Sequence, residues 1–142
     1  MEESDVEGVE QPRVDGTPLI SVAIYVKGDQ LEPAEITSLI GVQPDEAFSK
    51  GDPWLSPASG LHHRLTGLWS LRLDDPPSVL DAILSLATKV GSRSLARLPH
   101  VDEAYVDVYV GSVASELVSF EMDAGCIETL SRLELPVRVT IG

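Results

Sequence analysis

Apolar and polar residues alternate from Leu19 to Val26: Ile20, Val22, Ile24 and Val26 fall on one side, Ser21, Ala23 and Tyr25 on the other. A period of two predicts a half-buried strand. Lys27-Gly28-Asp29 is expected to turn the chain. Residues 32–41 then follow a helical pattern. Pro33 suits the first helical position, where no backbone N–H is needed. Glu35 carries a charge favoured near a helix N-terminus, and Gly41 can take the left-handed stop. Ile36, Leu39 and Ile40 form the expected buried stripe. Glu32 stands at the cap position, where Asp or Ser would serve better.

No period organises residues 44–66, and a long irregular loop is expected there. Gly67 to Leu73 reads as a strand with Trp69, Leu71 and Leu73 on one face and Leu68, Ser70 and Arg72 on the other. Asp74-Asp75-Pro76-Pro77 breaks it. Ser78 to Val90 is the strongest helical pattern, with Val79, Leu80, Ile83, Leu86, Ala87 and Val90 at helical spacing before Gly91. Ser92 to Leu98 adds one or two turns ahead of Pro99. Ala104 to Gly111 predicts another strand, with Ala104, Val106, Val108 and Val110 opposite Tyr105, Asp107 and Tyr109. Leu117 to Met122 is expected to pair with it as a hairpin across Gly111 to Glu116. Asp123 caps a third helix, whose stripe is Cys126, Ile127, Leu130 and Leu133 and whose end lies near Glu134. Leu135 to Ile141 closes as a strand with Val137, Val139 and Ile141 inward.

The order β-α-β-α-β-β-α-β predicts an α+β fold. It has two layers, a mixed or antiparallel sheet of about five strands with helices on one face, close to a ferredoxin-like layout. The 142 residues suit a single domain over 18–142. Residues 1–17 are strongly acidic and almost without large apolar groups, which predicts a disordered tail.

Charge narrows the partners. Ten basic and 23 acidic residues give a formal charge of −13, which repels phosphate backbones and argues against nucleic acid. The same field would draw in a basic protein partner. One cysteine rules out an intrachain disulfide and leaves too few thiols for a Cys-based zinc site. The acidic opening lacks the apolar core of a signal peptide. No apolar run reaches the roughly 18–20 residues that span a bilayer. A cytoplasmic monomer or homodimer, with no membrane partner and no cofactor, is the expectation.

The run from Ile20 to Pro44, ISVAIYVKGDQLEPAEITSLIGVQP, resembles the opening of a bacterial family known as domain of unknown function 4279. A strand, an LDPxEIT-like helix start and a Leu-Gly-x-x-Pro exit are its signature there. Lys50-Gly51-Asp52 is similar to that family's next corner, and Thr66 to Ser70 to its next strand. The likeness continues through the Val106-to-Val110 stretch to the ending at Phe120 to Ile141. Glu32 replaces the usual Asp, which affects only the cap. The resemblance implies no activity and carries no catalytic residues.

Candidate chemistry is therefore sparse. Long loops in compact domains are usually functional or disordered; Trp54 and the Lys50-Gly51-Asp52 corner argue against disorder. Lys50 and Asp52 either contact a ligand or hold the loop through an ion pair or an Asx turn. Trp54 is either a partner contact or a plug on the core, while Trp69 reads as core. His62 and His63 are the only adjacent histidines, and a metal site would need a third ligand such as Asp52 or His100. Cys126 reads as a small buried hydrophobe rather than a nucleophile. Tyr25, Tyr105, Asp107 and Tyr109 would form one tyrosine-rich sheet face if their strands are neighbours. The leading expectation is a non-enzymatic binding module that docks a protein through this face and the central loop, in its sharpest form an immunity-type protein neutralising a basic toxin. The alternative is a small-ligand-binding or enzymatic domain using Lys50, Asp52, His62 and His63.

Overall fold

The computed structural model describes residues 19–91, 93–111 and 120–142. The expected tail at 1–17 lies outside them, as does half of the strand expected at 117–122; within that strand, residues 120–122 are not extended into a ladder.

Five strands form the main sheet, in the order β2 (Glu46–Phe48), β5 (Gly67–Asp74), β1 (Ile20–Gly28), β6 (Glu103–Val110), β7 (Val137–Ile141). β1 is central and runs antiparallel to both β5 and β6. β2 is antiparallel to β5, and β7 is parallel to β6. The chain is thus α+β with a mixed sheet. A ferredoxin-like order is not confirmed, because β6 and β7 are direct parallel neighbours rather than being separated by another strand.

The alternation read in β1 continues two residues further than expected. Gly28 ends the strand, paired with Gly67, and Lys27 belongs to the ladder rather than to a turn. Glycine is required at 28, because a Cβ there would run into the backbone carbonyl of His100.

Three helices cover one face. α1 (Pro33–Ile40) has an uncapped N-terminus at Glu32, and Gly41 closes it in the left-handed region at φ 86°. α2 (Val79–Val90) is capped by the Ser78 side chain, which accepts from the Asp81 N–H, and α3 (Ala124–Leu133) by Asp123. One core unites Ile36, the buried stripe of α2, and Cys126, Leu130 and Leu133 of α3 with Val22, Ile24, Val26, Trp69, Leu71, Val106 and Val108. A short 3-10 turn, Leu95–Arg97, supplies Leu95.

Four expected core positions differ. Leu39 and Ile127 are exposed, because each stripe is narrower than its periodicity implied. In α1 the neighbouring Thr37 instead meets the core, accepting a hydrogen bond of 2.9 Å from the Trp69 indole N–H. On the edge strand β7, Val139 and Ile141 remain 53% and 77% exposed rather than inward.

The expected irregular loop at 44–66 is ordered into strands. β2 extends the main sheet, while β3 (Pro53–Ser56) and β4 (Gly60–His63) form a separate antiparallel hairpin. Gly51 and Gly60 take φ 90° and 86°, positions that favour glycine.

Candidate functional site: the open sheet face and its hairpin wall

The face of the sheet opposite the helices carries the odd-numbered residues of β1, β6 and the even-numbered ones of β5. Register sets them in rows. Glu46, Ser70, Tyr25 and Tyr105 stand side by side across β2, β5, β1 and β6; Phe48, Leu68, Lys27 and Glu103 form the next row. The tyrosine-rich face is therefore real: the Tyr25 and Tyr105 rings lie 5.5 Å apart, tilted by 48°.

The hairpin stands along this face and turns it into a groove of about 680 Å³. Its sheet floor includes Tyr25, Lys27, Phe48 and Tyr105, and its wall includes Trp54, His62, His63 and Arg64. Trp54 stacks on His62 at 4.9 Å and is 37% exposed, so it is a wall of the groove and not a plug in the core. His62 is fixed by Ser59, with 2.6 Å between Oγ and Nε2. Trp69 is fully buried.

Cations hold the two sides together. The Arg64 guanidinium lies 4.0 Å from the Phe48 ring and 4.8 Å from the Trp54 ring, bridging the edge strand and the hairpin. The Lys27 ammonium sits 5.2 Å from the Tyr105 ring and 5.6 Å from that of Tyr25. Arg138 stacks on Tyr105 at 3.8 Å while donating to Glu103 at 2.7 Å. Each such contact contributes about 0.5–1 kcal/mol at an exposed site and more where water is excluded.

Asp107 accepts from the Thr140 hydroxyl at 2.7 Å and lines the same groove, as does Glu46. Burial raises the Tyr25 phenol above its ordinary range, and the Asp107 charge adds to the effect. Tyr25 therefore remains a neutral hydrogen-bonding group at any physiological pH.

The expected site residues divide. Tyr25, Tyr105, Asp107, Trp54, His62 and His63 converge on the groove. Tyr109 shares the sheet face but does not line it. Lys50 and Asp52 also fall outside: Lys50 reaches Asp29 at 3.5 Å, and Asp52 accepts from the Ser49 N–H at 2.9 Å. That corner anchors the hairpin, since Gly51 and Asp52 exchange backbone hydrogen bonds with Arg64. Lys27, Phe48 and Arg64 were missed by sequence reasoning. Lys27 could have been found by carrying the β1 alternation two residues past Tyr25.

Among the described residues, no cluster of three or more His, Cys, Asp or Glu side chains is placed to hold a metal ion. Cys126 is buried in the core, and burial raises its thiol above the usual range, which suits a packing role. No helix among the described residues is long and apolar enough to cross a membrane.

Fold and groove together define a small α+β domain in which, among the described residues, no helix covers the second face of the sheet and a hairpin walls it. The chain belongs to the family described as Domain of unknown function (DUF4279), whose model matches residues 18–141. No curated protein and no solved structure matches it.

Proposed function

We propose that this domain is a non-enzymatic binding module whose recognition site is the groove between the open sheet face and the β3–β4 hairpin. The observation that carries the reading is the convergence of Tyr25, Tyr105, Trp54 and His62 on one concavity of ligand size. Aromatic walls with a few polar tips favour capture of a ring or a short segment. The one Ser–His contact among the described residues, Ser59 to His62 at 2.6 Å, sits at the turn of the hairpin, and Ser59 does not line the groove, which supports binding over catalysis. A fragment screen followed by two-dimensional NMR tests this. Hits are expected to perturb the Trp54 indole and the Tyr25 and Tyr105 amides; hits that cluster elsewhere on the surface would reject the groove as the site.

Protein docking is the second reading, and the hairpin favours it. Leu55 and Leu61 face each other across β3–β4 and are 75% and 61% exposed, and Leu65 beyond them is 88% exposed. An apolar tip on a molecule of charge −13 suits a basic protein with an apolar contact patch, as an immunity-type role in the cytoplasm would require. Capture of a basic partner at low salt by the parent chain, and its loss on Leu61→Asp, is the expected result. Equal capture by both would sink this reading.

A further inference from the structure

Lys27 and Arg64 are both half-buried in the groove. Among the described residues neither makes an ion pair, although the chain has more than twice as many acids as bases. Lys50, Arg72, Arg97 and Arg138 each have a carboxylate partner within 3.5 Å, and Lys89, Arg93 and Arg132, which show none among the described residues, are exposed rather than half-buried. Even Glu103, the cross-strand neighbour of Lys27, is held by Arg138. The contacts of Lys27 and Arg64 are with ring faces, which attract the positive charge, and among the described residues their side-chain N–H groups meet no protein acceptor. Half-burying a cation without an anionic partner costs free energy, so an arrangement that keeps two of them in one concavity suits an incoming anion.

The rest of the groove limits what that anion can be. The Trp54 and Tyr25 rings offer flat apolar surface, while Tyr105, buried beneath Lys27 and Arg138, backs the floor. Glu46 and Asp107 on the same lining disfavour a doubly charged group such as a phosphate. Resting on the groove reading above, we propose that the occupant is a small aromatic carboxylate. Its ring lies against the aromatic walls, and its single negative charge is held by Lys27 and Arg64. The local site thus selects a sign opposite to the one that the whole-molecule charge attracts.

Three probes that share a naphthalene ring and differ in charge separate the possibilities: 2-naphthoate, 2-naphthylmethanol and 2-naphthylmethylammonium, titrated into the full chain by two-dimensional NMR. The carboxylate is expected to bind at least about fivefold more tightly than the alcohol and to move the Trp54 indole signal; a single charge-assisted hydrogen bond of about 1.5 kcal/mol suffices for that. Lys27→Met should cut carboxylate binding several-fold more than it cuts binding of the alcohol. Arg64→Gln should do the same, with Arg64→Lys partly restoring it, and the spectra of the free variants report whether the hairpin is intact. If the alcohol or the ammonium binds in the groove as tightly as the carboxylate, the anion assignment is overturned and the groove reading stands. If none of the three moves groove signals, both fall.

Discussion

Single residues explain the placement of the two indoles. Trp69 is sealed in the core, yet its N–H is satisfied by Thr37, a residue one step off the expected helical stripe. Thr37→Val keeps the shape and removes the acceptor, leaving a buried donor unpaired. A loss of about 1–3 kcal/mol is expected in urea unfolding, and an unchanged midpoint would contradict the role given to that bond. Glu134 offers a second residue-scale test. It sits in the left-handed region at φ 57°, where its carboxylate is bound first by Arg97 and then by Ser94, and its pKa falls to about 2. The folded value lies below the unfolded one, so the contribution is complete above the ordinary glutamate range near 4.3 and is lost as pH falls toward 2. Carbon-detected NMR titration should show Glu134 ionising well below that range, and Arg97→Ala should bring it back up.

At the scale of elements, long periodic segments were legible and short ones were not. β1, β5, β6, α2 and α3 announced themselves because each buries a stripe that repeats, whereas α1, which buries Ile36 alone, was marked by Pro33 and Gly41 at its ends. β2, β3 and β4 have three or four residues each and expose most of them, so no periodicity could build up. Their order comes from pairing and from Arg64, both properties of three-dimensional neighbours. The site was half visible for the same reason. Alternation put Tyr25 on one strand and Tyr105, Asp107 and Tyr109 on another, sharing a face only on condition that the strands were neighbours, whereas the meeting of Phe48, Trp54 and Arg64 depends on where a hairpin of separate register comes to rest. An isolated two-stranded hairpin is marginal in water, so this one should depend on its indole. Trp54→Ala removes a stacking and a cation–π contact, together about 1–2 kcal/mol. Hydrogen exchange in β3 and β4 should accelerate roughly tenfold on that estimate, while β1, β5 and β6 keep the parent rates. Equal acceleration throughout would show that the hairpin is not a separable unit.

The whole molecule carries 13 surplus negative charges, which repel one another more in the compact state than in the unfolded chain. Screening that repulsion should stabilise the fold. Raising sodium chloride from about 10 mM to about 0.3 M is expected to move the urea midpoint upward, since the Debye length shrinks from roughly 30 Å to well under 10 Å. A downward shift would mean that the surface ion pairs outweigh the repulsion. Such pairs are individually weak, and only four are seen among the described residues.

The sheet is threaded around its earliest strand. β1 lies in the middle, and Val22 must find both Leu73 and Val108 before its backbone is sealed on either side. At ribosomal speeds the second of those neighbours emerges on the order of ten seconds after the first strand is made. During that interval a sticky Ile-Val ribbon waits half-matched. Nascent chains of this design would gain most from shielding of that ribbon, and a pause placed late in the message is expected to lengthen their time at risk.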